Sequence, residues 1–238
     1  MKLSDFQALT FDCYGTLIDW ESGLLAALQG LVTCAPRRRT REEVLRDYGE
    51  HEAAQEHATP TMRYSQLLAT VYKRLAENWG APAPWVECTT FASSLKNWDP
   101  FPDTIAALKY LKTHYRLYIL SNVDNESFSY TARKLGVQFD GIVTAEDIGS
   151  YKPSLRNFEY LFDRLRGQGI EKNRILHVAQ SLVHDHLPAN ELGLASCWIN
   201  RQHGQIGAVG ETAGRARYNF TFHTMGEFAE AHKKELSG

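Results

Sequence analysis

From Trp98 onward, short apolar runs alternate with helical patterns, and this alternation constrains the fold more than any other feature of the chain. "RLYILSN", "FDGIVTAEDIG", "RILHVAQS", "ASCWINR" and "YNFTF" read as strands or carry one. "DPFPDTIAALKYLKTHY", "SFSYTARKLGV", "LRNFEYLFDRLRGQG", "HDHLPANELGL" and "TMGEFAEAHKKE" read as helices, with Gly136 placed for a C-cap. Strands separated by helices predict an α/β fold with a parallel, doubly wound sheet. The run at residues 6–12 is a further strand, but a stretch from about 20 to 97 with only helical patterns cuts it off from the others. Within that stretch Thr40, followed by Glu42 and Glu43, marks a helix start with acids in its first turn. The expected organisation is a Rossmann-like core of residues 1–18 and 98–238, with a helical cap of residues 19–97 inserted into it.

At 238 residues the chain is long enough for a substantial core, and its net charge of −2 gives no basic field for nucleic acid or an anionic membrane. The basic cluster "RRRTR", Arg37–Arg41, reads as a solvated loop and helix start. No run reaches the roughly 18–20 apolar residues of a membrane span, and no signal-peptide pattern opens the chain. Cys13, Cys34, Cys88 and Cys197 lack zinc or CxxC spacing and read as reduced thiols, so a cytoplasmic location is expected. Cys13 beside Asp12 reads as a small core residue, with a nucleophile as the alternative. The aromatic helix "YSQLLATVYKRLAENW" is a possible homodimer face.

Open α/β sheets bind ligands beyond the carboxyl ends of their strands. The residues expected there are Asp12 and Thr16, then Ser121 and Asn122, then Lys152, then Ser181 and Asp185. Singly, each has an ordinary reading as a turn-former, helix cap or solvated cation. Jointly, a carboxylate, hydroxyls, an amide and a lysine at successive strand ends point to one catalytic site.

"FDCYGTL", "ILSNVD", "SYKPS" and "HVAQSLVHDHLPANELGL" together resemble the four motifs of the haloacid dehalogenase superfamily. The resemblance implies that Asp12 is a nucleophile, Ser121 the second-motif hydroxyl, Lys152 the third-motif lysine and Asp185 the fourth-motif acid. Most of that superfamily are phosphotransferases with a second acid two residues after the nucleophile and a leading fourth-motif acid that holds Mg²⁺. Here those positions are Tyr14 and Gln180. A neutral amide is a poor ligand for a hard dication, and a phenol a poor proton shuttle near neutrality.

"FDCYGTLID", "LSNVD", "YKPS" and "SCWINR" are similar to the L-2-haloacid dehalogenase branch. That resemblance implies displacement of halide from a short 2-halocarboxylic acid through an Asp12 ester, with no metal or other cofactor and a small anionic substrate. Thr16, Ser121 and Lys152 would orient the nucleophile. Tyr14, Asn122, Gln180, Ser181 and a cap arginine, Arg46, would meet the substrate, with Arg63 a second candidate. The chain departs from the branch at Leu182, and at Phe158 where a tyrosine is usual. His184 and His186 flank Asp185 and could act on water or merely start a helix. His51 and His57 with Glu50, Glu52 and Glu56 lack a clean i, i+4 histidine pair and read as a solvated helix face. Two alternatives stay open: a same-scaffold hydrolase or phosphatase, and a catalytically weak small-anion binder.

Overall fold

The computed structural model describes residues 1–201 and 213–238. Six strands form one wholly parallel sheet: β1 (Ala8–Phe11), β2 (Arg116–Ser121), β3 (Gly141–Thr144), β4 (Ile175–Ala179), β5 (Ala195–Ile199) and β6 (Phe220–Phe222). Their spatial order is β3-β2-β1-β4-β5-β6, so β1 lies at the centre and the chain winds outward from it in both directions.

Alternation along each strand explains the two covered faces. Leu9 and Phe11, with Leu117 and Ile119, face a core shared with Leu108 and Leu111 of α5 (Thr104–Lys112) and Phe228 of α10 (Met225–Ser237). Ala8, Tyr118 and Leu120 face the opposite core, with Phe158, Leu161 and Leu165 of α8 (Leu155–Arg166) and Ala189 of α9 (Leu187–Glu191). Crossovers α6 (Asn125–Leu135) and the short α7 (Ala145–Ile148) complete the layers. Among the described residues no helix is long and apolar enough to cross a membrane.

Four helices lie between β1 and α5: α1 (Trp20–Cys34), α2 (Arg41–Ala58), α3 (Tyr64–Trp79) and α4 (Trp85–Ala92). Sequence pattern does not separate α4, an eight-residue helix that starts directly after Pro84. Thr40 caps α2 as expected, its hydroxyl accepting the Glu43 N–H while the Glu43 carboxylate accepts the Thr40 N–H. The α2–α3 turn meets the carboxyl ends of β2 and β3. The Ser65 N–H donates to Asp124 at 2.7 Å, Tyr151 donates to the Met62 carbonyl, and Arg63 pairs with Glu146 at 2.8 Å.

Gly23 of α1 shows how closely this insert packs. A Cβ there would stand 2.3 Å from the Trp98 ring.

Candidate active site

The chain leaves β1 at Asp12 and turns at once, with Gly15 at φ +95°, a left-handed conformation that favours glycine. A Cβ at Gly15 would also press on Gln180 Oε1 and the Trp20 ring, both at about 3.2 Å. The turn brings Thr16 back over the nucleophile position. Its hydroxyl donates to Asp12 Oδ2 at 2.7 Å and accepts the Gln180 N–H at 2.9 Å. An ionised carboxylate only accepts, so the hydroxyl proton is turned to Asp12. Arg201 fixes the same turn from behind, its guanidinium donating to the Thr16 carbonyl at 3.0 and 2.9 Å and to Asp103 at 2.6 Å.

Lys152 is 2% exposed, and its ammonium bridges the two acids. Nζ donates to Asp12 Oδ1 at 2.9 Å, to Asp185 Oδ1 at 2.6 Å and to the Leu120 carbonyl at 3.1 Å. These acceptors take up all three of its N–H groups. Burial opposes its charge, but the two carboxylates hold its pKa well above the ordinary lysine value. For Asp185 burial is likewise outweighed, by Lys152 and His177, which keep it ionised. Burial raises the Asp12 pKa, with Lys152 and Thr16 pulling against it.

Sequence reasoning missed His177, and the register explains its role. It lies opposite Thr10 on the neighbouring strand. Its Nδ1 sits 2.9 Å from the Thr10 hydroxyl and its Nε2 2.9 Å from Asp185 Oδ1. Phe158, at the position where the resemblance expects a tyrosine, packs edge-on against this imidazole at 5.3 Å. A buried chain Thr10–His177–Asp185–Lys152–Asp12 therefore positions the nucleophile.

Of the other expected site residues, Asn122 locks the Lys152 loop, its Oδ1 accepting the Lys152 N–H at 2.7 Å and its Nδ2 donating to the Lys152 carbonyl at 3.0 Å. Ser121 is buried, and its hydroxyl has no hydrogen-bond partner among the described residues. Gln180 is held by its backbone, whose carbonyl accepts from Trp198 Nε1 at 2.9 Å. Ser181 caps the π-turn Leu182–His186 by accepting the His184 N–H at 3.1 Å. Tyr14 donates or accepts at Thr131 over 2.7 Å and packs edge-on against Trp98. His186 is structural. Burial pushes its pKa down to about 4, its Nε2–H donates to the Ala179 carbonyl, and its Nδ1 accepts from Ser196. Burial pushes the Cys13 thiol well up, which removes it as a nucleophile near neutral pH.

Arg46 is not brought to the site. Its side chain is 58% exposed and pairs with Asp47 at 2.8 Å. Helix geometry gives the reason. At about 100° per residue, Arg46 lies about 160° around α2 from Tyr48, off the stripe that Tyr48 forms with the residues four and eight positions after it. Those residues are Glu52 and Glu56, and they correct the reading of this segment as a wholly solvated face. Tyr48 and Tyr64 both donate to Glu52 Oε1, at 2.9 and 2.6 Å. Glu56 Oε1 accepts from Asn122 Nδ2 at 3.2 Å. Burial raises the pKa of both acids, Glu56 the more strongly. Arg63, the second arginine candidate, is 61% exposed on its pair with Glu146.

A hard dication would find a poor donor set here. Asp12 and Asp185 both turn Oδ1 to the Lys152 ammonium, and where the resemblance expects a leading fourth-motif acid the chain has the Gln180 amide. Among the described residues no group of three or more His, Cys, Asp or Glu side chains could hold a metal ion.

The family model for haloacid dehalogenase-like hydrolases matches residues 6–185, which span Asp12, Thr16, Ser121, Lys152, His177 and Asp185. The chain belongs to that family. Across 84% of its length and 85% of the relative's it is 27% identical to (S)-2-haloacid dehalogenase 4A of Burkholderia cepacia. It is 26% identical over 106 residues to the pyrimidine 5'-nucleotidase YjjG of Escherichia coli strain K12, a match covering 44% of this chain and 46% of that protein. The structure of L-2-haloacid dehalogenase from Xanthobacter autotrophicus superposes with a TM-score of 0.75 at 15% identity, over 96% of this chain and 98% of that one. The shared family therefore covers both carbon–halogen and phosphate-ester hydrolases.

Proposed function

We propose that this family member hydrolyses a small organic substrate through a covalent ester on Asp12, with halide as the leaving group. The observation that carries this reading is the Asp12 carboxylate held between the Thr16 hydroxyl and the Lys152 ammonium. A carboxylate oriented from both oxygens and kept beside a fixed cation is equipped for nucleophilic attack on carbon. In the first step an Asp12 oxygen bonds to the substrate carbon as the carbon–halogen bond breaks and halide leaves with the electron pair. In the second, water adds to the Asp12 carboxyl carbon, the alcohol departs with the original aspartate oxygen, and a proton is released.

Lys152 and Thr16 stabilise the charge that gathers on the carboxyl oxygens during that addition. The long match to a 2-haloacid dehalogenase supports halide rather than phosphate as the leaving group. So does the donor set, which suits an ammonium better than Mg²⁺.

The test is halide release from a panel of 2-halopropionate and 2-halopropionamide in the presence of EDTA, with Asp12→Asn as the control. Release by wild type alone, undiminished by chelator, is the expected result. Phosphate-ester hydrolysis that appears only with added Mg²⁺ would overturn the reading in favour of a phosphatase.

A further inference from the structure

Three contacts within four residues seat the turn between α2 and α3 on the core. The Met62 carbonyl accepts from the Tyr151 hydroxyl, Arg63 pairs with Glu146 at 2.8 Å, and the Ser65 N–H donates to Asp124 at 2.7 Å. Arg63 and Ser65 reach α7 and the start of α6, where Asp124 also accepts the Ser127 N–H. Of the three, the Met62 contact is the one made to the catalytic segment, because Tyr151 directly precedes Lys152. Tyr151 is buried at 6% exposure. Burial, and then the acids Glu56, Asp124, Glu52 and Glu146 around it, push its pKa well up, so the phenol keeps its proton and gives it to the Met62 carbonyl.

Lys152 depends on support of this kind. It lies in the loop between α7 and α8, where no strand neighbour fixes its backbone. Its main-chain N–H and carbonyl are both held by the Asn122 side chain, whose amide also donates to Glu56 of the insert at 3.2 Å. The Lys152 loop therefore meets the insert twice, directly through Tyr151 and indirectly through Asn122. At its other end the ammonium spans Asp12 and Asp185 at 2.9 and 2.6 Å. A displacement of about 1 Å away from the acids would take both bonds out of hydrogen-bond range.

We propose that Tyr151 is a positioning residue: through the Met62 carbonyl it makes the placing of the Lys152 ammonium depend on the seating of the α2–α3 turn. Lys152 then braces the Asp12 carboxylate fully only with the insert seated over the strand ends. The inference rests on the proposed Asp12 chemistry only for its effect on turnover, and the coupling holds whatever the leaving group.

The Asp12 carboxyl reports where the ammonium stands. Lys152, Asp185 and Thr16 bear on it, while the Tyr151 hydroxyl is spent on Met62, so a change at Tyr151 reaches Asp12 through Lys152. The test is an NMR titration of chain labelled with ¹³C at the aspartate side-chain carboxyls, with Asp12→Asn to assign the signal. Tyr151→Phe keeps the ring and removes one hydroxyl. It is expected to raise the Asp12 pKa by about 0.5 or more, about threefold in proton affinity, because the cation that lowers it recedes. Arg63→Ala breaks a contact of the same turn that does not reach the Lys152 loop, and it is expected to leave the Asp12 titration unchanged. A Tyr151→Phe chain that melts lower but titrates at Asp12 with any smaller change would overturn the inference, since the hydroxyl would then only stabilise the fold. An equal rise in both variants would also overturn it, as a general loosening of the insert. No substrate is present, so the outcome is separate from whether halide leaves on an Asp12 ester.

Discussion

Lys152 is the residue on which the arrangement turns, because it is the buried counter-charge for both Asp12 and Asp185. Removing one member of a buried ion network leaves charge uncompensated, at about 3–5 kcal/mol. Lys152→Met is therefore expected to lower the unfolding free energy at pH 7 by about 3 kcal/mol or more and to abolish turnover. A denaturant titration reads this, and a loss below about 1 kcal/mol would mean that the two carboxylates do not depend on the ammonium.

Glu56 gives a pH signature of known sign. Burial raises its pKa above the unfolded value, so between the two values the folded chain binds the extra proton and stability falls as pH rises. Glu56→Gln should consequently melt higher than wild type near pH 8, with the gain shrinking toward pH 4–5. A constant difference across that range would contradict a half-buried, proton-binding Glu56.

At the scale of elements, the strands and the residues at their ends were readable because each apolar run stops on a polar group. Asp12 and Ser121 stand out for that reason, and Lys152 by its place in the loop before a helix. The inner face of α2 was not readable. This helix is polar nearly all round, so hydropathy does not show which polar side turns inward, although Tyr48, Glu52 and Glu56 four residues apart mark the stripe in retrospect. The same ambiguity drew attention to Arg46. With its side chain 58% exposed and paired to Asp47, Arg46→Ala is expected to change kcat/KM less than about twofold for any substrate the wild type turns over. A tenfold rise in KM would return Arg46 to the substrate. His177 escaped notice for a different cause. It sits inside an apolar strand, and only the β1–β4 register, which sets it beside Thr10 and over Asp185, gives it a task.

At the scale of the whole molecule, placing β1 between β2 and β4 makes one site out of residues far apart in sequence. Asp12 leaves the central strand, Ser121 and Asn122 leave one neighbour, and the Gln180–Asp185 turn leaves the other, while Lys152 comes from the loop between α7 and α8. The insert between β1 and α5 then closes on those strand ends through Asn122–Glu56 and Asp124–Ser65. A sequence states the order of these segments but not which of them become neighbours. The resemblance in the motifs supplied the adjacency that hydropathy could not.

The central claim is the ester on Asp12, and isotope labelling in a single turnover tests it most directly. Enzyme in excess over a turned-over 2-halopropionate or 2-halopropionamide is allowed to react once in H₂¹⁸O, and the Asp12 peptide and the alcohol product are then weighed. The expected result is ¹⁸O in the Asp12 carboxyl group with an unlabelled product, because water enters at the carboxyl carbon and the aspartate oxygen leaves with the alcohol. An ¹⁸O-labelled product with an unlabelled Asp12 would mean that water attacks the substrate directly and that Asp12 is not the nucleophile.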